Sequence, residues 1–589
     1  MITDLQTKNP MRKKTAWLLA VLFALTAGQV GAQYRTTTYC NPINLDYTYP
    51  FHNSHLGKSY RSGADPAVVK FRGEYYMFVT RSWGYWHSKD LTNWDFITPE
   101  KWYFEGCNAP AAHNYKDSVL YVTGNPSGAM SILYTDDPKR GDWKAVPSVL
   151  YDLQDPDLFI DDDDKAYMYW GSSNLWPIRV KELDMNNKFL PVGNRVDSLL
   201  YLQPEKHGWE RFGENHTSDI KPFIEGAWMT KHDGKYYLQY AAPGTQFNVY
   251  GDGVYVGTSP KGPFEYAAHN PFCYKPGGFA TGAGHGSTVA GPGGVYWHFA
   301  TIHLSINYKF ERRLCMFPTF FDKDGVMYSD SYFGDYPHYT PDQPSRQQEN
   351  GGFRGWMLLS YGKPVTASSQ LEKYPVSNVT DENLKSFWVA AENNDRQWVK
   401  IDMENVCDVY AIQLNFFDYE ETEFWGRMPG LYQRYVVETS VDGENWTVVA
   451  DYSKSYRDAP HNYVELDRPV EARYVRYRHI SVPGKHLAMG DIRVFGLGRG
   501  KKPAAVRDFM VTRDSDERNA AISWKAVKGA QGYNVLWGIA PDKLYSSWMV
   551  YGDTSLELRS LTAGQKYYFA VEAFNENGIS QRIVLKDAR

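Results

Sequence analysis

Cysteine is scarce in this chain and carries no pattern. Five cysteines in 589 residues (Cys40, Cys107, Cys273, Cys315 and Cys407) stand far apart with no Cys-x-x-Cys spacing. That excludes a zinc site of the usual spacing and a disulfide-dense scaffold, and leaves them as small apolar residues for burial. An excess of one charge is missing too: 63 Lys+Arg face 68 Asp+Glu, a formal net charge of -5. With no basic stripe, the electrostatic motive for binding nucleic acid or an anionic membrane surface is absent. Long apolar runs are confined to the N-terminus, where Arg12, Lys13 and Lys14 precede "TAWLLAVLFALTAG" and then "VGA" before Gln33. This charged, apolar and small-residue order is that of a secretory signal peptide, and the run falls short of the ~20 apolar residues a spanning helix needs. Residues 1–32 are therefore expected to be an address label, with either Met1 or Met11 as initiator. The mature chain is expected to be periplasmic or secreted, without an integral membrane segment.

What the chain has in abundance is aromatic and glycine residues: 45 Tyr, 19 Trp and 49 Gly, with aromatics at 16%. Rings suit short β-strands, and they suit the apolar C–H faces of sugars. The length calls for several domains. In the first half one pattern recurs: a polar opening, a short apolar strand, an Asp/Gly turn, then an aromatic strand. Its copies are "DPAVVKFRGEYYMFVT" from Asp65, "NAPAAHNYKDSVLYVTG" from Asn108, "DPDLFIDDDDKAYMYWG" from Asp155, "EGAWMTKHDGKYYLQYA" from Glu225 and "GSTVAGPGGVYWHFAT" from Gly286. Each reads as a hairpin. Further strand-like pieces follow, among them "SKDLTNWDFI", "TDDPKRGDWKAV" and "TSPKGPFEYA". About four strands per period in five copies predicts an all-β, five-bladed propeller over residues 33–335.

The innermost strands of a propeller line its axial channel, so the opening residues of the copies converge there. Three copies open on an acid: Asp65, Asp155 and Glu225. Like charges gathered in one funnel force their pKa values apart, which is what glycosidic bond cleavage uses. One carboxyl protonates the leaving oxygen, another activates water on the opposite face of the sugar, and a third holds the acid protonated. The run Asp161–Asp164 falls in the hairpin turn of its copy and reads as a solvated turn.

The stretches "GADPAVV", "YWHSKDLTNW", "DPDLFIDDD" and "IEGAWMTKHDGKYYLQY" resemble glycoside hydrolase family 43, over about residues 38–335. The resemblance implies an inverting hydrolase of arabinose- and xylose-containing glycans, with Asp65 as general base, Asp155 as the residue tuning the acid and Glu225 as general acid. It implies no organic cofactor. It places His285 of "GAGHGS" facing a water-coordinated axial cation, commonly Ca2+, and Arg312 of "ERRLCMFP" near the acids as counter-charge. Two positions depart from the family pattern: Asn108 stands where a tryptophan is usual and Trp228 where a histidine is usual, so sugar specificity does not carry over. Trp83, Trp86 and Trp228 are the candidate stacking residues, while Trp94 and Trp143 are assigned to packing.

Residues 336–359 are Pro-, Gln- and Asn-containing and read as a linker or wrapping segment. Residues 360–497, with "QWVKID", "VETSVDGENWTVV" and "RYVRYR", resemble a discoidin (factor V/VIII C-type) β-sandwich, a candidate glycan-binding module in which Trp388, Trp398 and Trp446 are read as core. Residues 503–589 resemble a fibronectin type III sandwich with Trp524 in its core. The function expected is an exported, exo-leaning α-L-arabinofuranosidase or β-xylosidase acting on carbohydrate. Its rivals are a β-galactanase on the same propeller, a silent glycan-binding protein and an adhesion protein.

Overall fold

The structure, a computed structural model, describes residues 36–50, 56–102, 104–124, 130–147 and 153–585. The expected signal peptide lies outside them. Among the described residues no helix is long and apolar enough to cross a membrane.

Five antiparallel sheets follow one another from Ala67 to Ser329. Blade one comprises Ala67–Phe71, Glu74–Phe78, Tyr85–Ser88 and Asp95–Ile97. Blade two comprises Asn108–Tyr115, Ser118–Gly124, Leu133–Thr135 and Lys144–Ala145. Blade three is built on Asp157–Ile160, Ala166–Trp170 and Ile178–Asp184, with Leu190–Pro191 and Asp197–Leu200 both pairing the third strand. Blades four and five start from Glu225–His232 and Gly284–Ala290. The innermost strands adjoin in ring order, with blade five meeting blade one, so the propeller closes.

The aromatic wealth is mostly spent between blades. One apolar cluster fills each gap; between blades one and two it gathers Phe78, Tyr85, Phe104, Tyr121 and Trp143, and others fill the remaining gaps. Radial sheets cannot bury both faces alone, and large flat rings close the wedge between them. Trp94 and Trp143 are buried. The five cysteines are free thiols, all buried.

Of the two readings of residues 336–359, linker or wrapping segment, the packing agrees with the second. His338–Tyr339 pairs antiparallel with Thr38–Tyr39, a helix spans Pro344–Asn350, and Tyr336, His338, Gln347 and Trp356 are buried. The aromatics scattered among its prolines give it apolar surface to bury, which a free linker does not have. Beyond it, one eight-stranded sheet system built on the long, bulged strands Trp398–Phe416 and His461–Ser481 encloses a core that includes Trp388. Trp398 and Trp446 are half-buried at its margins, and the Arg476 guanidinium lies 3.8 Å from the Trp446 ring centroid. The last domain is a sandwich of a three-stranded sheet (Arg507–Arg513, Ala520–Lys525, Ser555–Leu558) and a five-stranded one around Gly532–Gly538. Trp524 sits in its core.

Candidate active site

The heads of all five innermost strands share one backbone feature. A residue there adopts the left-handed conformation: Asp65 (φ 54), Ala109 (φ 42), Asp155 (φ 48), Gly226 (φ 65) and His285 (φ 49). For the four that are not glycine this conformation costs about 1–3 kcal/mol each, and such strain gathers where a side chain must be aimed at a site. In blades one, three and five the kinked residue itself carries the functional side chain. In blades two and four Asn108 and Glu225 precede it by one position, and a bulge follows each. The three acids are thus not in strict register, and the fifth copy begins at His285 rather than Gly286.

These residues open into one axial cavity of about 250 Å³, lined by Asp65, Asp155, Glu225, His285 and Arg312 among others. Arg312 Nη1 lies 3.2 Å from Asp65 Oδ1, Thr80 Oγ1 donates to Asp65 Oδ2 at 2.6 Å, and Asp65 N donates to Thr301 Oγ1 at 2.9 Å. Burial works to raise the Asp65 pKa, but Arg312, His285 and the Thr80 hydroxyl together hold it below the usual carboxylate value. Asp155 goes the other way. Burial, together with the charges of Glu225 and Asp65, outweighs His285 and a hydrogen bond from Ser172 and pushes Asp155 up to about 7. Near neutral pH the cluster therefore holds an ionised Asp65 and a proton at or beside Asp155.

Glu225 accepts from Tyr250 Oη at 2.6 Å and from Ser172 Oγ at 3.1 Å, so Ser172 stands between the two neighbouring acids. His285 Nδ1 is 3.5 Å from Asp65 Oδ1 and 3.8 Å from Asp155 Oδ2. Burial lowers the His285 pKa, and the surrounding carboxylates, Asp65 first, more than reverse that. Asp252 fixes the head of its strand, accepting from His285 N at 2.7 Å, Gly286 N at 2.9 Å and His298 Nε2 at 2.8 Å. Among the described residues no three His, Cys, Asp or Glu side chains converge in a way that could hold a metal ion directly.

Of the sequence-predicted site residues, the structure brings together Asp65, Asp155, Glu225, Asn108, His285 and Arg312. Asn108 accepts Arg81 Nε at 2.7 Å. Trp86 is a correction: it is 0% exposed, packed with Leu91, Trp297 and Phe299 between blades one and five, with its indole donating to Asp46. It lies on the third strand of its blade, where an inward side chain meets the next blade and not the channel. Trp228 packs beside the clusters flanking blade two, and Trp83 lies against Gly426 of the sandwich that follows the propeller; neither is among the residues lining the cavity. The aromatic wall is instead Tyr60, Tyr308 and Phe310.

Sequence reasoning also missed Thr80 and Ser172. Their signal was in the repeat: in four copies a hydroxyl residue, Thr80, Thr123, Ser172 or Thr301, lies within two residues of the end of the second strand, and each of these bonds to the head of an innermost strand.

The family model described as glycosyl hydrolases family 43 matches residues 60–327. The chain carries a family 43 glycosyl hydrolase domain. A second model, the F5/8 type C domain, matches residues 364–489, so the family 43 domain is followed by a discoidin sandwich. Similar curated proteins include "Xylosidase/arabinosidase 43A" of Humicola insolens, 26% identical over 213 residues, covering 31% of this chain and 58% of that protein. Another is "Arabinoxylan arabinofuranohydrolase" of Bacillus subtilis (strain 168), 24% identical over 332 residues, covering 46% of this chain and 60% of that protein. The chain thus spans less than two thirds of the length of either relative. Among solved structures, a thermostable family-43 glycoside hydrolase is 21% identical with a TM-score of 0.41, covering 51% of this chain and 99% of that one.

Proposed function

We propose that the protein is an exported, inverting glycoside hydrolase that removes arabinose or xylose units from plant-type glycans, acting as an α-L-arabinofuranosidase or β-xylosidase. The observation that carries this reading is the convergence of Asp65, Asp155 and Glu225 on one cavity with Asp65 held ionised and Asp155 pushed up to about 7. In this reading Asp65 takes a proton from the attacking water as the C–O bond breaks. Glu225 gives a proton to the leaving oxygen, so one carboxyl gains what the other loses. Asp155 keeps a proton in the cluster, and Ser172 lies where it can pass that proton to Glu225. His285 and Arg312 offset the negative charge that three carboxyl groups would otherwise build up.

A cavity of about 250 Å³, below the roughly 300–1,000 Å³ of sites for drug-sized ligands, suits a terminal sugar and supports exo action. The names of the relatives, a xylosidase/arabinosidase and an arabinoxylan arabinofuranohydrolase, support the sugar class. We read the discoidin domain as a buttress of the propeller and the final sandwich as a fibronectin type III spacer.

The test is release of reducing sugar from a panel of arabinose-, xylose- and galactose-containing glycans by the wild type, Asp65→Asn and Glu225→Gln. Pentose release by the wild type, with loss of at least 10³-fold in both variants and unchanged circular dichroism, is the expected result. Wild-type turnover by either variant overturns the roles.

A further inference from the structure

On the Glu225 side of the funnel the surface holds a second, smaller cavity of about 80 Å³. Its walls include Ser173, Trp176, Tyr201, Lys221 and Ile224. Large apolar side chains crowd its neighbourhood in the open: Trp176 is 62% exposed, Leu175 64%, Tyr201 56% and Ile220 62%. Scattered single exposures need no explanation, but a contiguous exposed patch does.

The cavity adjoins the catalytic funnel. Ser172 and Glu225 line the funnel, while their chain neighbours Ser173 and Ile224 line the second cavity. Those neighbours exchange two backbone hydrogen bonds of 3.0 Å. The loop is pinned as well: Ser173 Oγ accepts from Leu175 N at 2.9 Å and Trp176 N at 3.1 Å, and the Arg179 guanidinium lies 5.2 Å from the Trp176 ring centroid. Rigid, exposed Trp and Tyr rings with Asn174 and Lys221 at hand offer stacking faces and hydrogen-bond donors together, the combination that holds a pyranose ring.

We infer that this cavity binds the main chain of the glycan on the leaving-group side of the scissile bond. The inference rests on the reading of Glu225 as the acid. The leaving oxygen must lie at Glu225, and whatever is attached to it then emerges over Ser173 and Ile224 onto Trp176 and Tyr201. The occupant is thus a neutral sugar backbone bearing the unit to be cleaved, and the enzyme is built to trim a polymer or a long oligosaccharide.

Trp176→Ala, Tyr201→Ala and the double variant test this, since both side chains are exposed and their loss removes no core. Initial rates are measured on an aryl pentoside, whose leaving group is a single ring and cannot span the cavity, and on the polymer that the wild type hydrolyses best. The expected result is at least a tenfold fall in the ratio of kcat/KM on polymer to kcat/KM on aryl pentoside in the double variant, carried mainly by KM. A second readout needs no turnover: in the Glu225→Gln background, retardation of the protein in a native gel containing soluble arabinoxylan is expected to weaken when Trp176 and Tyr201 are removed. A ratio within twofold of wild type, or unchanged retardation, overturns the inference. A wild type inactive on every glycoside overturns the hydrolase reading instead, and the two failures are thereby separate.

Discussion

Arg312 Nη1 stands 3.2 Å from Asp65 Oδ1, a counter-charge from the third strand of blade five meeting the acid at the head of blade one. The two lie 247 positions apart in the chain, and ring closure is what brings them together. The pairing divides the carboxyl cluster. The acid beside the guanidinium stays ionised, while the one placed away from it, against Glu225, takes up a proton.

Removing that guanidinium moves a titration. In Arg312→Gln the Asp65 pKa rises, because the chief force lowering it against burial is gone. If ionised Asp65 is the base, activity is lost from the acid side. The acid limb of the kcat/KM profile shifts up by about one unit or more, measured between pH 3.5 and 8 on an aryl pentoside. An unmoved acid limb contradicts the assignment of the base.

Asp155 gives a stability prediction with a definite sign. Its folded-state pKa, about 7, lies above the unfolded value near 3.8, so its contribution to stability is complete below pH ~4 and lost as pH rises through about 7. The slope within that window is about 1.4 kcal/mol per pH unit for one proton. Asp157, also raised to about 7, and Glu210, raised to about 8, act in the same direction. Eight histidines whose pKa is lowered by burial, His216 and His303 among them, act in the opposite direction below about pH 6.5. Wild-type thermal stability should therefore fall between pH 7 and 8, and Asp155→Asn should flatten part of that fall and be the more stable of the two at pH 8. Differential scanning calorimetry at the two pH values checks it.

Gly226 permits a close approach that no other residue allows. It is left-handed at φ 65, and a Cβ there would lie 2.8 Å from His285 Cγ and Cδ2. Gly226→Ala should displace the imidazole from Asp65 and Asp155 and lower kcat at least tenfold, with a stability loss of about 1–3 kcal/mol from the backbone conformation. Kinetics and urea unfolding measured together separate the two effects.

Much of this was legible in the sequence, and the reason is repetition. Five copies of one hairpin reveal a propeller because each copy must solve the same packing problem, and an acid recurring at the copy's opening stands out against that background. A single aromatic carries no such signal. Trp86 and the true wall residues Tyr60, Tyr308 and Phe310 differ only in which strand or loop delivers them, and alternation along one strand cannot distinguish a channel face from an interblade face. The one-residue offset of Glu225 was equally hidden, since a bulge leaves the residue types on either side unchanged. In "DDDD" the sequence suggested a solvated turn. Asp162, Asp163 and Asp164 are exposed, but Asp161 is bound by Lys231 and Tyr236 of blade four, a contact that depends on the neighbouring blade.

The largest feature the sequence did not disclose is how firmly the discoidin domain is joined to the catalytic one. Arg61, 3% exposed, is clamped between Asp418 at 2.9 Å and Asp458 at 2.7 Å, both from the discoidin sandwich. The next residue, Ser62, lines the catalytic cavity and accepts from Arg312 N at 3.0 Å. Arg61→Met leaves two buried carboxylates facing each other without a cation, a change that costs about 3–5 kcal/mol. It should also loosen the segment that carries Ser62 and through it the placement of Arg312. The expected outcome is a lower urea midpoint together with a fall in kcat/KM, whereas Arg396→Met, at an exposed pair with Glu392, should change stability by less than about 1 kcal/mol. If Arg61→Met unfolds like the wild type, the discoidin domain is an appendage; if it behaves as expected, the domain is a structural part of the catalytic site.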